Sequence, residues 1–309
     1  MRESPFGNHG SAHEMSESRS NLGFGVLSRV SFLIAGLLLT GLARASDICL
    51  LESSLISALK KAVNGDYADL AAAHPNSVSF DTVPRASAPE LYAIRVPATA
   101  PAGRLLVIFQ GDGIAAERMT ADLGPLASRG YTIFVQDYRG LGKSGGTPSF
   151  RGAIDDARSW IEEIRANPGN AEMPVIYYGT SFGGVVLLAA LKSVRANEIV
   201  LLDGVPDRLP MLLLCERKFY PIVSIKAAPE MKELDKRLIV VASSEDRKAG
   251  PAAMAGLLTF AQENGGTAVV VRRLHHPYEI DDDVPSRLET LASLIESALT
   301  SSGARRRDE

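Results

Sequence analysis

From Arg104 onward, short apolar runs alternate with segments of helical period, and this alternation limits the possible folds more than any other feature of the chain. Leu105–Phe109, Tyr131–Val135, Val175–Tyr178, Ile199–Leu202, Leu238–Ala242 and Ala268–Val271 read as strands. The first is apolar throughout, as a strand covered on both faces must be. Between and after them, Ala115–Ser128, Phe150–Ala166, Phe182–Val194, Pro251–Asn264 and Val284–Leu299 read as helices. Ser149 is a candidate cap for the second of these, and Pro168-Gly169 lies beyond its end. The spacing predicts an α/β fold, a mostly parallel sheet with helices on both faces. Val78–Val83 and Leu91–Val96, separated by a Pro/Ser/Ala turn, predict an antiparallel lead-in to it.

Within that pattern one stretch carries chemistry. Val175-Ile-Tyr-Tyr runs into Gly179-Thr-Ser-Phe-Gly183, a G-x-S-x-G motif, and an apolar helical run follows at once. The order strand, sharp turn, helix is the context in which this motif presents a serine nucleophile. Only small neighbours let the chain double back so tightly, and Gly179 and Gly183 supply that room. Ser181 would then stand at the start of a helix, where N–H groups and the helix dipole favour developing negative charge. The competing reading is a glycine-rich turn with an inert serine.

The N-terminus is of a different kind. Residues 1–21 are polar and predict a disordered leader, with Met15 as an alternative start. Arg29, the apolar run Val30–Leu42 and Ala43-Arg44-Ala45 then have the form of a secretory signal. The run is shorter than the ~20 residues a membrane span needs. Cleavage after Ala45 is expected, giving a secreted or periplasmic protein with no stable membrane span. An uncleaved anchor is the alternative. The predicted layout is therefore a leader and signal over residues 1–45, one domain over 46–300 and a polar tail over 301–309. In an oxidising compartment Cys49 and Cys215, the two cysteines, could pair; two buried thiols are the other reading. A net charge of −3 gives no reason to expect nucleic acid as a partner.

A serine hydroxyl needs a base to take its proton. Of the five histidines, His9 and His13 fall in the leader and His74 precedes the sheet. His275 and His276 follow the last strand, in the Ser…Asp…His chain order. His276 is favoured, because Pro277-Tyr278 begins the turn there, and His275 stays open as a competitor. The orienting acid is expected after strand Leu238–Ala242, where Asp246 is the choice. Glu245, one residue off, should face elsewhere, and Asp203 at the end of the preceding strand is the alternative. For the oxyanion, one donor is expected from the N–H of Phe182. The second is expected from Gln110-Gly-Asp-Gly113, with Asp112 N–H as the candidate. Ser46–Val63 reads as an amphipathic helix lying on the domain. The irregular insert Pro206–Glu233 is apolar enough to predict a small helical cap over the strand ends.

Asp137-Tyr-Arg-Gly-Leu-Gly-Lys-Ser-Gly-Gly146 lacks the spacing of a phosphate loop, so nucleotide binding is excluded. Together with Thr147-Pro-Ser149, the acid-flanked helix and G-x-S-x-G-G, it resembles the α/β-hydrolase superfamily. Tyr138–Ser149 is similar to the Bem46-like and serine-aminopeptidase-like branch. Over about Arg104 to Leu299 the resemblance implies an eight-stranded, mostly parallel sheet. It also implies a triad of Ser181, Asp246 and a late histidine, with hydrolysis of an ester, thioester or amide and no cofactor. Gln110-Gly111 stands where the family has His-Gly, and His275-His276 follows Leu274 where the family has a single histidine after glycine. The expectation is an exported serine hydrolase acting on a small-molecule acyl substrate. A non-catalytic binding module, or an aminopeptidase or acyltransferase on the same fold, is the alternative.

Overall fold

A computed structural model of the chain describes residues 79–83, 90–101, 103–111, 114–120, 122–207, 229–234, 237–278 and 282–303, all within the unit Cys49–Glu309. The leader and signal, the helix expected at Ser46–Val63, His74, both cysteines, Asp112 and most of the insert lie outside these residues.

Eight strands form one sheet: β1 (Asp81–Val83), β2 (Ala93–Val96), β3 (Arg104–Phe109), β4 (Tyr131–Gln136), β5 (Val175–Thr180), β6 (Ile199–Asp203), β7 (Leu238–Ser243) and β8 (Thr267–Val271). Their order is β1-β2-β4-β3-β5-β6-β7-β8. The first two strands are antiparallel to their neighbours and the other pairings are parallel. The chain thus winds outward from β3 in both directions. The carboxyl ends of β3 and β5 meet at the middle, where ligands of open parallel sheets bind.

The helices are α1 (Ala116–Met119), α2 (Gly124–Ala127), α3 (Phe150–Ala166), α4 (Phe182–Ala189), α5 (Pro229–Leu234), α6 (Ala255–Glu263) and α7 (Val284–Gly303). Alternation along each central strand sends neighbouring side chains to opposite faces. Leu105, Val107, Tyr177, Val200 and Val240 pack with Trp160, Ile161, Val186, Leu187 and Leu257 of α3, α4 and α6. Leu106, Ile108, Ile176, Leu201 and Ile239 pack with Met119, Leu126, Leu288, Leu291 and Ile295 of α1, α2 and α7. Burying one such Leu or Ile side chain contributes about 1.5–3 kcal/mol, so the two apolar layers hold the strand ends firmly.

Three helices fall short of expectation. The one expected over Pro251–Asn264 starts only at Ala255, after a turn over Pro251–Met254, and ends at Glu263. The one expected over Ala115–Ser128 is two short pieces: α1 stops at Met119, and α2 starts afresh at Gly124 with Pro125 in its first turn. The one expected over Phe182–Val194 stops as α-helix at Ala189 and continues as a 3-10 turn, Leu191–Ser193. α3 has the expected bounds, and the Ser149 hydroxyl accepts from Gly152 N–H at 3.1 Å. α7 runs past Leu299 to Gly303.

Candidate active site

Ser181 sits between β5 and α4 with φ 51° and ψ −123°, one of three non-glycine residues among those described with positive φ. A non-glycine residue held there costs about 1–3 kcal/mol, and the surroundings must enforce it. They do so by crowding. A Cβ on Gly183 would lie 1.9 Å from the oxygen of Phe109, and one on Gly179 would lie 2.6 Å from Gly184 Cα. The elbow closes only because those positions carry no side chain. Ser181 N–H donates to the oxygen of Asp203 at 3.0 Å, which fixes the peptide from the β6 side.

Ser181 is also the N-cap residue of α4, a position where serine normally turns its hydroxyl onto the helix. It makes no such bond. Its Oγ lies 2.8 Å from His276 Nε2, and His276 Nδ1 lies 2.8 Å from Asp246 Oδ2. The second oxygen of Asp246 accepts from the N–H groups of Lys248 (2.7 Å) and Ala249 (2.8 Å). Burial disfavours the charge on Asp246. The bonds from His276 and the two amides outweigh that, and the carboxyl is held below its ordinary range. It is therefore ionised at neutral pH and can only accept. The Nδ1 atom of His276 must then carry a proton, so in the neutral imidazole it is the Nε2 lone pair that faces the Ser181 hydroxyl.

Of the two adjacent histidines the structure brings only His276 to the serine. His275 turns away, its Nε2 lying 3.9 Å from Glu245 Oε2, so the fold sets His276 and not its competitor beside Ser181. The turn is made by Arg273 and Tyr278, both at positive φ, on either side of the pair. Glu245 faces His275, as its offset from Asp246 implied. Asp203, the alternative acid, is fully buried and bound to Arg287 Nη1 at 2.7 Å.

Of the two amides expected to face an oxyanion, Phe182 N–H lies in the first turn of α4, where N–H groups have no partner within the helix. Asp112 is outside the described residues, but both flanks of its loop are held. Tyr138 donates its hydroxyl to Gln110 O at 2.9 Å, and its ring meets Phe182 edge-on at 5.3 Å. Gln110 Nε2 donates to Gln136 O at 2.6 Å. On the far flank, Asp137 accepts from Ala116 N–H at 2.7 Å and Lys143 N–H at 3.0 Å. The glycine-rich segment Asp137–Gly146 thus holds both flanks of the loop after β3. Gly111 comes close to Ser181; a Cβ on it would stand 3.5 Å from Ser181 Cβ.

Sequence reasoning missed Arg287, Asp282 and the part Asp203 plays with them. A signal existed. Val284, Leu288, Leu291 and Ile295 form the buried stripe of α7, and Arg287 falls on that stripe. A charged residue there needs buried partners. Among the described residues no group of three or more His, Cys, Asp or Glu converges to hold a metal ion, and no helix is long and apolar enough to cross a membrane.

Residues 100–202 match the family model described as serine aminopeptidase, S33. The protein YfhR of Escherichia coli O157:H7 is 39% identical over 66 residues, 21% of this chain and 23% of YfhR. Protein bem46 of Schizosaccharomyces pombe is 37% identical over 83 residues, 25% of this chain and 28% of bem46. The chain thus spans about a quarter of the length of the curated relatives it matches. A lidless α/β serine hydrolase from Xanthomonas campestris superposes with a TM-score of 0.52 at 18% identity, covering 74% of this chain and 95% of its own. That likeness is one of fold.

Proposed function

We propose that this chain, whose fold is like that of α/β hydrolases and whose residues 100–202 match the serine aminopeptidase S33 model, is a serine hydrolase that cleaves a carboxylic ester, thioester or amide through an acyl-enzyme. One observation carries the reading: the 2.8 Å links from Ser181 Oγ through His276 to Asp246, mounted on a strained turn whose serine leaves its own helix uncapped. In this mechanism Ser181 Oγ attacks the carbonyl carbon while His276 Nε2 takes its proton. The carbonyl electron pair moves onto oxygen, where the N–H of Phe182 and the N–H of Asp112 stabilise it. Collapse expels the alcohol, thiol or amine, which receives the proton from Nε2. Water then enters, and the same steps release the acid and restore the serine. Asp246 keeps the imidazole in its tautomer and offsets its charge when protonated.

The surface beside the nucleophile favours an apolar acyl group. Phe182 is half-buried and packs between Tyr138 and Phe150, ring centroids 5.3 and 5.9 Å away. A fluorophosphonate probe tests the reaction class. Labelling should fall on Ser181 and vanish in Ser181→Ala; an unlabelled wild-type chain would leave a binding module. Acyl esters assayed beside aminoacyl amides separate an esterase from an aminopeptidase, and preference for the amides would overturn the apolar assignment.

We also infer that the chain is exported and cleaved after Ala45, on the support of Arg29, the apolar run Val30–Leu42 and Ala43-Arg44-Ala45. N-terminal sequencing of the protein recovered outside the cytoplasm should begin at Ser46. A chain that retains Arg29 in the membrane fraction would mean an uncleaved anchor instead.

A further inference from the structure

Beneath the histidine loop lies a buried cluster that the proposed chemistry does not use. Arg287 Nη1 binds both oxygens of Asp203 at 2.7 Å. Its Nε donates to Asp282 Oδ2 at 2.8 Å and its Nη2 to Asp282 Oδ1 at 2.9 Å. Nη2 also reaches Ser243 Oγ at 3.1 Å and the oxygen of His275 at 2.6 Å. The side chains of Arg287, Asp203 and Asp282 are 1%, 0% and 0% exposed. Such a cluster is weak evidence for stability, since apolar residues of similar volume often do as well. Its connections say more. The oxygen of His275 belongs to the peptide that leads into His276, so fixing it fixes the direction in which the imidazole leaves the main chain. On the other side of His276, Tyr178 donates to Asp203 Oδ2 at 3.0 Å, and Tyr278 N–H donates to Asp282 Oδ2 at 3.0 Å.

Those bonds close a ring. Ser181 N–H is held by the oxygen of Asp203, Asp203 holds Arg287, Arg287 holds His275 O, and His276 returns to Ser181 Oγ. We propose that Arg287, locked between Asp203 and Asp282, is a positioning residue that sets the His276 imidazole in register with Ser181. The role rests on the serine-hydrolase reading for its purpose, though not for its geometry. Arg287 touches no reacting atom and acts through the peptide of His275. Burial works against the guanidinium charge, but the two carboxylates outweigh it and hold its pKa above the ordinary arginine value. The cation is therefore retained at any pH the protein survives, while burial raises the carboxyl of Asp203 above its ordinary range against the pull of Arg287. A lysine, with one nitrogen in place of a planar fork, cannot reach Asp203, Asp282 and His275 O together.

The test uses Arg287→Lys, Asp282→Asn and Ser243→Ala in the full chain. Ser243→Ala deletes one oxygen and covers the case in which the charge variants fail to fold. Two quantities are read in each folded variant: kcat and KM on the best ester, and the low-field proton NMR signal of His276 Nδ1–H. Positioning predicts that Arg287→Lys lowers kcat by about 100-fold with KM little changed, as displacement of a reacting group by about 1 Å does. Asp282→Asn and then Ser243→Ala follow with smaller losses, and the Nδ1 signal shifts or broadens in the same order. Folded variants that keep the wild-type kcat and signal would reduce the cluster to a structural staple and overturn the proposal. Because the NMR signal needs no turnover, the two readings separate. Should wild type fail to label or turn over while the variants still displace the signal, positioning stands and the hydrolase reading falls.

Discussion

The oxygen of Asp203 accepts from the N–H of Ser181 at 3.0 Å, while the carboxylate of Asp203 is bound to Arg287 at 2.7 Å. One residue at the end of β6 therefore fixes the backbone of the serine with its main chain and reaches the histidine loop with its side chain. The position sits where an acid could have served the histidine directly. Asp246, one strand further along, serves it instead at 2.8 Å.

The strain at Ser181 gives a prediction in which stability and activity move apart. Ser181→Gly and Ser181→Ala both lose the bond to His276, yet only glycine is at ease at φ 51°. Relief of about 1–3 kcal/mol of strain exceeds the ~1 kcal/mol that glycine costs through the unfolded chain. Urea unfolding should find Ser181→Gly more stable than Ser181→Ala by about 1 kcal/mol, with both inactive. A glycine variant that is the weaker of the two would remove the strain argument.

Substituting the two histidines separately should give unequal results. His276→Ala is expected to lower kcat by about 10⁴-fold or more, as loss of the base does in a serine relay. His275, turned toward Glu245 at 3.9 Å, should tolerate alanine with kcat within about threefold of wild type. Steady-state kinetics on one ester decides this, and equal losses would contradict the side-chain placement.

Gly183→Ala should prevent folding or cost more than about 4 kcal/mol, since the new Cβ would lie 1.9 Å from the oxygen of Phe109, which belongs to rigid backbone. Gly103→Ala is the matched control. Nothing lies within 4 Å of a Cβ there, and its effect should stay within about 0.5 kcal/mol. Thermal unfolding of the pair reads the difference.

Asp246 ties stability to pH. Its folded-state pKa is depressed, so the unfolded chain binds the proton more readily. Its contribution is complete above the unfolded carboxyl value and is lost as pH falls through the depressed folded one. The stability gap between wild type and Asp246→Asn should be widest near about pH 7 and shrink below about pH 4. Urea titrations across that range test the sign; a gap that grew on acidification would refute it.

Much of this was legible in the chain, and the reasons are local. α3 was readable to its ends because a serine cap, a strong apolar stripe and a Pro-Gly stop all act within a few residues. The elbow was readable because strand, glycines and helix are contiguous. The break between Met119 and Gly124 was missed because an apolar period continued across it while the helical backbone did not. Arg287 was missed because its partners, Asp203 and Ser243, lie 84 and 44 positions away on strands that only the fold brings beside α7.

The sequence by itself determined the α/β alternation and the presence of a hydroxyl on a hinge too tight for larger neighbours, since sterics and hydrophobic period act between adjacent residues. Only the tertiary structure decided which of two neighbouring imidazoles meets that hydroxyl, and which carboxylate stands behind it. Those contacts join residues 95 and 30 positions apart. They depend on the order of strands β5 to β8 and on left-handed turns at Arg273 and Tyr278. The Pro277-Tyr278 turn favoured His276 locally, but only the folded loop excluded His275, since a shift of one residue there would have exchanged the two.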